Sequence, residues 1–300
     1  MLPVLFSVGN FSISSFGVFL ALGFLFGVFL VWRLSRAWDL DEEKILDLTL
    51  ASFLGGLVGA RLYFVLEHWD LFAQNLSKIF LFYKLPGFSF WGGILGGWLT
   101  LFYFSKKWKI DFWQIADIAS VGLLGGLIFE SLGCFLGGCG VGIPSNLFFA
   151  VPQIGFVGRR FPVQAIEALL LMFVLWKIWK LASHFHQRGK IISLTLIFIS
   201  FVKLILEPFR EVHNQNYFFS TTLLILGLVI FYKVTQRNPL SDLNNFLKFL
   251  VGFITQASVR KTTLDTISKV GYNQKALITW RLKNLQKLLL LTLRRHNVRS

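Results

Sequence analysis

Apolar positions in this chain run on well past the length of an ordinary core element. Seven stretches, at about 11–32, 45–66, 89–105, 113–136, 163–181, 190–206 and 218–232, are largely apolar throughout. A helix needs roughly 20 such residues to cross a hydrocarbon core about 30 Å thick, with latitude for tilt and burial. The pattern predicts an all-α integral membrane protein with seven transmembrane helices. Beyond residue 237 the pattern changes. There "NFLKFLVGFITQ" and "WRLKNLQKLLLLTLRRH" mix apolar with basic positions, as helices lying along a membrane surface do. Two domains are expected: a seven-helix domain over 1–237 and a basic amphipathic tail over 238–300.

Composition agrees with a membrane-embedded chain, since only 15% of residues are charged where soluble domains carry about 25%. The formal net charge of +15 raises the question of nucleic acid, and its distribution answers it. Residues 238–300 hold eleven Lys and Arg against Asp242 and Asp265, so most of the surplus lies in the tail. Basic residues beside a membrane are drawn to anionic lipid by about 1 kcal/mol each. Anionic lipid is therefore the tail's expected partner, and nucleic acid is not expected. Lys and Arg also set orientation, because cytoplasmic loops retain them. One set of connections holds 23 and the other five, which places the N-terminus outside and the C-terminus in the cytoplasm. No basic residue precedes the first apolar run, which far exceeds a signal peptide's 7–15 residues. It reads as an anchor that stays attached.

An ionisable side chain inside a bilayer costs at least about 2.5 kcal/mol on insertion scales, so each asks for a reason. Threading the chain through seven spans brings Arg61, Glu130, Ser131, Gln164, Glu167, Lys203, Glu207 and Arg210 to the outer half. The inner half holds fewer, chiefly Asp47 and Asp117, which read as caps or pairs. Lys203, Glu207 and Arg210 are spaced i, i+4, i+7 and share one helical stripe. The plain reading is a Lys203–Glu207 pair with a snorkelling arginine. The functional one joins them to Arg61 as a cationic cluster at one depth, suited to the phosphate of an outer-leaflet phospholipid. The glycines of "LGGLVGAR" and "FWGGILGGW" let helices approach closely, whereas "GGCGVGIP" reads as an irregular external loop over a cavity. Cys134 and Cys139 lack the further cysteines or histidines of a zinc site, so no metal is expected. A disulfide between them stays open. Polar groups gathered toward one face, without an inverted repeat, argue against a transporter.

Over about residues 3–236 these features resemble the prolipoprotein diacylglyceryl transferase family. The ordered motifs are "SSFGVFLALGF", "GARLYFVL", "FSFWGGILGG", "SLGCFLGGCGVGIPS", "FPVQAIEAL" and "LEPFRE". The resemblance implies transfer of a diacylglyceryl group from phosphatidylglycerol to the lipobox cysteine thiol of preprolipoproteins. It also implies a multi-pass protein working at the outer leaflet of the bacterial cytoplasmic membrane, with no cofactor. Arg61, Gly92, Gly93, Gly133, Pro162, Gln164, Glu167, Glu207 and Arg210 match the family pattern. Trp91 stands where the pattern has histidine, Ser131 and Lys203 where it has arginine, and Phe16 where it has tyrosine. Trp91 cannot act as a base, because indole only donates.

Two readings follow from the resemblance. In the first, a divergent transferase, Glu130, Glu167 and Glu207 are the candidate catalytic groups. Arg61, Trp91, Gly92, Gly93, Ser131, Gln164, Lys203 and Arg210 form its phosphate and lipid site. The alternative is a catalytically inactive paralogue that binds phospholipid or lipoprotein precursors.

Overall fold

A computed structural model describes residues 4–8, 11–73, 79, 87–153, 155–211, 214–256 and six positions between 261 and 272. The chain divides into two compact units, Met1–Gln236 and Arg237–Ser300.

The first unit opens with an antiparallel hairpin, β1 (Val4–Val8) and β2 (Phe11–Ser14), followed by α1 (Ser15–Ala37). Residues 11–14 are therefore strand, not the start of the first apolar span. Their "FSIS" alternates with period two, and the Ser14 side chain accepts the Gly17 N–H at 3.1 Å, capping the helix one turn later. There follow α2 (Glu42–Glu67), the single turn α3 (Trp69–Phe72), α4 (Phe90–Lys107) and α5 (Phe112–Gly137). Short strands β3 (Val151–Pro152) and β4 (Arg159–Arg160) pair antiparallel before α6 (Val163–Ala182), α7 (Lys190–Leu206) and α8 (Asn214–Thr235).

Among the described residues, five helical stretches are long and apolar enough to cross a membrane: Ser15–Ala37, Glu42–Glu67, Phe112–Gly137, Lys190–Phe209 and Tyr217–Thr235. Of the other two expected spans, α4 has 18 residues and ends on Lys106 and Lys107, while α6 carries Glu167, Lys177 and Lys180.

Glycine seams set the helix directions. Gly23 abuts Gly126, Gly27 abuts Gly122 and Gly137 abuts Phe16, so α1 and α5 run antiparallel. Along α2 and α4, Gly55 meets Thr100 while Gly59 meets Gly92 and Gly96, again antiparallel. A Cβ on Gly59 would lie 2.5 Å from the Gly92 carbonyl oxygen, and neither backbone can move aside without parting the helices. Ser120 lies beside Thr195, and Asp117 bonds to the start of α7, so α5 and α7 run parallel. Gly227 abuts Ile197 while Gly189 meets Val234, which makes α8 antiparallel to α7. One end of the bundle, here the upper end, thus gathers the starts of α1, α4, α6 and α8 with the ends of α2, α5 and α7. The central helix is α5, which packs on α1, α4, α6 and α7. Leu34, Ile118, Val121, Leu124, Leu171, Ile178 and Ile191 form the core around it.

At the lower end, fully buried Asp117 accepts the Gly189 and Ile192 N–H groups, each at 2.7 Å. It serves as a capping carboxylate for α7 supplied from another helix, one of the roles expected for it. Nearby, Asp111 caps α5 and pairs with Arg188 at 2.8 Å. Burial raises the Asp111 carboxyl, but the Gln114 N–H and the Arg188 guanidinium outweigh it, so the group titrates below its ordinary value.

The second unit contains α9 (Pro239–Thr255), where Leu240, Leu243, Leu247 and Val251 form an exposed apolar stripe. Within α9 the only ionisable residues are Asp242 and Lys248, so it is amphipathic without being basic. The segment "WRLKNLQKLLLLTLRRH" lies outside the described residues.

Candidate active site

Three helices converge on the upper end with ionisable side chains. Glu167, on the first turns of α6, is 3% exposed and faces two cations from the end of α7. Lys203 Nζ donates to Glu167 Oε1 at 2.8 Å, and Arg210 Nη2 donates to Glu167 Oε2. The expected helical stripe of Lys203, Glu207 and Arg210 is broken, since α7 ends at Leu206, Glu207–Phe209 form a 3-10 turn and Arg210 is extended beyond it. Lys203 and Arg210 still meet at Glu167, and the lysine pairs across to α6 and not with Glu207. Glu207 meets Arg210, with Nε 3.6 Å from Oε2, while its Oε1 is buried without a hydrogen-bond partner. Lys203 and Arg210 each already face a carboxylate. What distinguishes them is exposure: the Lys203 and Arg210 side chains are 19% and 17% exposed. Glu167 is thus more deeply buried than either cation.

Glu130, half-buried near the end of α5, lies within electrostatic range of Lys203, Arg210 and Glu167. Its neighbour one turn on is Cys134, whose Sγ is 3.6 Å from Glu130 Oε1. Cys134 and Cys139 are joined as a disulfide, so that sulfur has no proton to give and the contact is not a hydrogen bond. The bridge forms because Gly138 adopts φ +84 at the end of α5, and the chain then turns back over the helix.

That turn roofs the cluster. Gln164 Nε2 donates to the Cys139 and Gly140 carbonyls, the latter at 2.8 Å. Gly140 adopts φ +64, a conformation that favours glycine, and it lies close against the Arg210 guanidinium. Backbone bonds between Ile143 and Phe209 and between Glu211 and Val141 pair this loop with the segment carrying Arg210. Ser131 Oγ and Gln164 Oε1 are buried beneath it without partners.

The remaining expected residues lie on α2 and α4. Trp91, half-buried at the start of α4, stacks on Phe219 of α8 with ring centres 4.2 Å apart. Its neighbour Phe90 lies 5.7 Å from Lys203 Nζ, which brings the start of α4 to the edge of the cluster. Gly92 is locked in the α2–α4 seam against Gly59 and Tyr63, whereas Gly93 has looser contact with Ala60. Arg61 is 4% exposed and donates to the Ile79 and Gly87 carbonyls at 3.0 and 2.9 Å, under the rings of Phe64, Phe72 and Phe88. These described bonds tie it to the chain connecting α2 and α4. Sequence reasoning did not single out Arg160, which is 7% exposed and bridges the Gly142 carbonyl and the Glu211 carboxylate. Adjacent basic residues carry no signal for which of them turns inward.

Fold and cluster together define a class: a multi-pass helical membrane protein with an ionisable network enclosed at one end of its bundle. The family model for prolipoprotein diacylglyceryl transferase matches residues 3–233, and the chain belongs to that family. Among curated proteins named phosphatidylglycerol–prolipoprotein diacylglyceryl transferase, that of Mannheimia succiniciproducens is 31% identical over 71% of this chain and 81% of its own length. The Finegoldia magna protein is 25% identical over 80% of this chain and 98% of its own length. The Deinococcus radiodurans protein is 35% identical, but its match spans 45% of this chain and 41% of that relative.

Proposed function

We propose that the chain transfers a diacylglyceryl group from phosphatidylglycerol to the lipobox cysteine thiol of preprolipoproteins. The observation that carries this reading is Glu167 held between Lys203 and Arg210, with the cations at the open edge of the cluster. In the reaction, a sulfur–carbon bond forms at C3 of the lipid glycerol as the bond from C3 to the phosphate oxygen breaks. The electron pair leaves with that oxygen, and glycerol phosphate departs. Lys203 and Arg210 are suited to stabilise the growing negative charge, which preorganised donors do best where water is scarce. Glu130, beside the roof and within range of both cations, is the group assigned to take the thiol proton. Glu167 and Glu207 orient the cations, Gln164 holds the roof, and Trp91 and Ser131 line the lipid's approach. Mass spectrometry of a lipobox peptide incubated with purified protein and phosphatidylglycerol tests the assignment. A thioether-linked diacylglyceryl adduct is expected, and binding of both substrates without an adduct would favour an inactive paralogue.

The arginine at the edge of the cluster gives a sharper expectation. A planar guanidinium can meet two phosphate oxygens at once, whereas an ammonium acts as a point charge. Arg210→Ala should weaken phosphatidylglycerol binding by about tenfold or more, in line with loss of a charge-assisted hydrogen bond. Arg210→Lys should fall between it and wild type. Equal lipid affinity in all three, read by titration in nanodiscs, would remove Arg210 from the phosphate site.

Seven membrane spans with the upper end outside the cell are the topology this activity needs in the bacterial cytoplasmic membrane. The alternating direction of the helices and the 23-to-5 distribution of basic residues support it. A cysteine replacing Asn146 should react with an impermeant reagent added to sealed cells, and one replacing Lys107 should not. Labelling at Lys107 would reverse the orientation.

The tail is assigned to anionic lipid on the cytoplasmic face, with α9 supplying apolar contact and the residues beyond it supplying charge. Its division of labour is testable: a peptide covering residues 238–300 should bind anionic vesicles and lose much of its affinity as salt rises. One ending at Gln256 should bind more weakly and show little salt dependence. Salt-independent binding by the full peptide would rule out the electrostatic part.

A further inference from the structure

The loop joining α5 to α6 carries apolar side chains where a water-facing connection would carry polar ones. Phe148 is 92% exposed and Val157 98%, with Leu147, Phe149 and Phe156 also exposed around them. From Gly138 to Ile166 there is no acidic residue and no lysine, and the basic residues are Arg159 and Arg160. Arg160 turns inward, while Arg159 is exposed beside Val157.

The loop's base is built firmly. β3 and β4 pair through Val151–Arg160 and Pro152–Arg159, and Pro144 bridges to Arg160. The Ser145 N–H bonds to the Arg159 carbonyl, so this backbone also joins the roof. Phe149, Phe161 and Phe209 form a run of ring contacts, with centres 5.6 and then 4.9 Å apart, which ends one residue from Arg210. The exposed tips are thus presented by a scaffold continuous with the active cluster.

We propose that this loop is an interfacial foot that inserts Phe148 and Val157 into the leaflet on the upper side of the membrane, with Arg159 on an anionic lipid headgroup. A bilayer fits better than a peptide because the two most exposed residues are knobs. Protein partners for apolar side chains are concave and bury them among fixed neighbours, whereas a lipid interface accepts isolated protruding rings and aliphatic groups at whatever spacing they have. A lone cation close to such knobs complements lipid phosphate. The same end of the bundle bears a second apolar hairpin, in which Phe6 is 68% exposed and Val4 and Ile13 are also exposed. By seating the loop, the bilayer would set the depth of Arg210 and the roof relative to lipid headgroups. That consequence rests on the transferase reading, whereas the insertion itself does not.

The test exploits the cysteine content. Cys134 and Cys139 are the chain's two cysteines and are bonded to each other, so an added cysteine can carry a nitroxide without reduction. Phe148→Cys and Val157→Cys are tolerable because both side chains are almost fully exposed, and Gln187→Cys on an exposed lower connection gives the aqueous reference. In nanodiscs containing phosphatidylglycerol, the labels at 148 and 157 should collide with oxygen several-fold more often, relative to a water-soluble nickel chelate, than the label at 187. Changing Arg159 to serine in the labelled proteins should reduce that ratio. Labels at 148 and 157 as open to nickel as the reference would overturn the proposal. So would labels shielded only after a lipobox peptide is added, since that would make the loop a peptide surface. The reading needs no turnover, so an inactive protein would still answer it.

Discussion

Replacing Glu167 with glutamine should remove almost all turnover and lower stability, because one carboxylate holds two cations together in an enclosed site. Lys203 and Arg210 contact its two oxygens separately. A neutral amide offers one acceptor oxygen and no charge, so the cations would repel each other and turn toward water. Removing one partner of a buried ion pair costs about 3–5 kcal/mol, and here two pairs share the partner, though both cations keep some exposure. A loss of roughly 100-fold or more in lipid transfer is expected, since misplacement by about 1 Å costs that much in a positioned reaction. Glu167→Asp should recover part of it, through charge without full reach. Turnover and thermal midpoint both unchanged in Glu167→Gln would show that the carboxylate neither holds the cations nor serves the reaction.

The opposite pattern is expected at the other end of the bundle. Asp117→Ala leaves the Gly189 and Ile192 N–H groups without their acceptor in a fully buried place. Each unsatisfied buried group costs about 1–3 kcal/mol, so with two of them the variant should lose about 2–6 kcal/mol, with Asp117→Asn losing less because one oxygen remains. The folded fraction should keep its specific activity, since the site lies at the far end of α5 and α7. Thermal unfolding in detergent, followed by transfer assays on the surviving folded protein, separates the two outcomes. An Asp117→Ala protein as stable as wild type would mean the α7 start finds other acceptors. Together the two substitutions distinguish residues that serve the reaction from residues that hold the bundle.

Several readings of the sequence were right in kind and wrong in partner. The i, i+4 spacing of Lys203 and Glu207 made a local pair the natural expectation, yet α6 approaches α7 closely enough for Glu167 to take the lysine. Arg61 was grouped with the other cations by depth alone. Depth along a helix says nothing about direction around it, and its described bonds tie it to the α2–α4 connection. Gly92 was assigned to the lipid site but is locked in a helix seam. That second role is visible in the sequence as small residues four apart, without indicating which helix is met. The disulfide was left open because five residues of separation allow or forbid it according to where the helix ends.

What the amino-acid sequence alone determined was the set of long helices, six of the seven to within a few residues, and the end of the bundle at which the polar groups gather. These are consequences of local chemistry, since an apolar run of that length has one stable way to satisfy its backbone in lipid. It also brought Glu130, Glu167, Lys203, Glu207 and Arg210 onto one short list. Only the tertiary structure decided which of them touch and that Gly138 turns the roof back over them. Such choices depend on the rotation of each helix about its own axis and on which neighbour it meets. Both follow from close contacts between residues far apart in the chain, which no local pattern encodes.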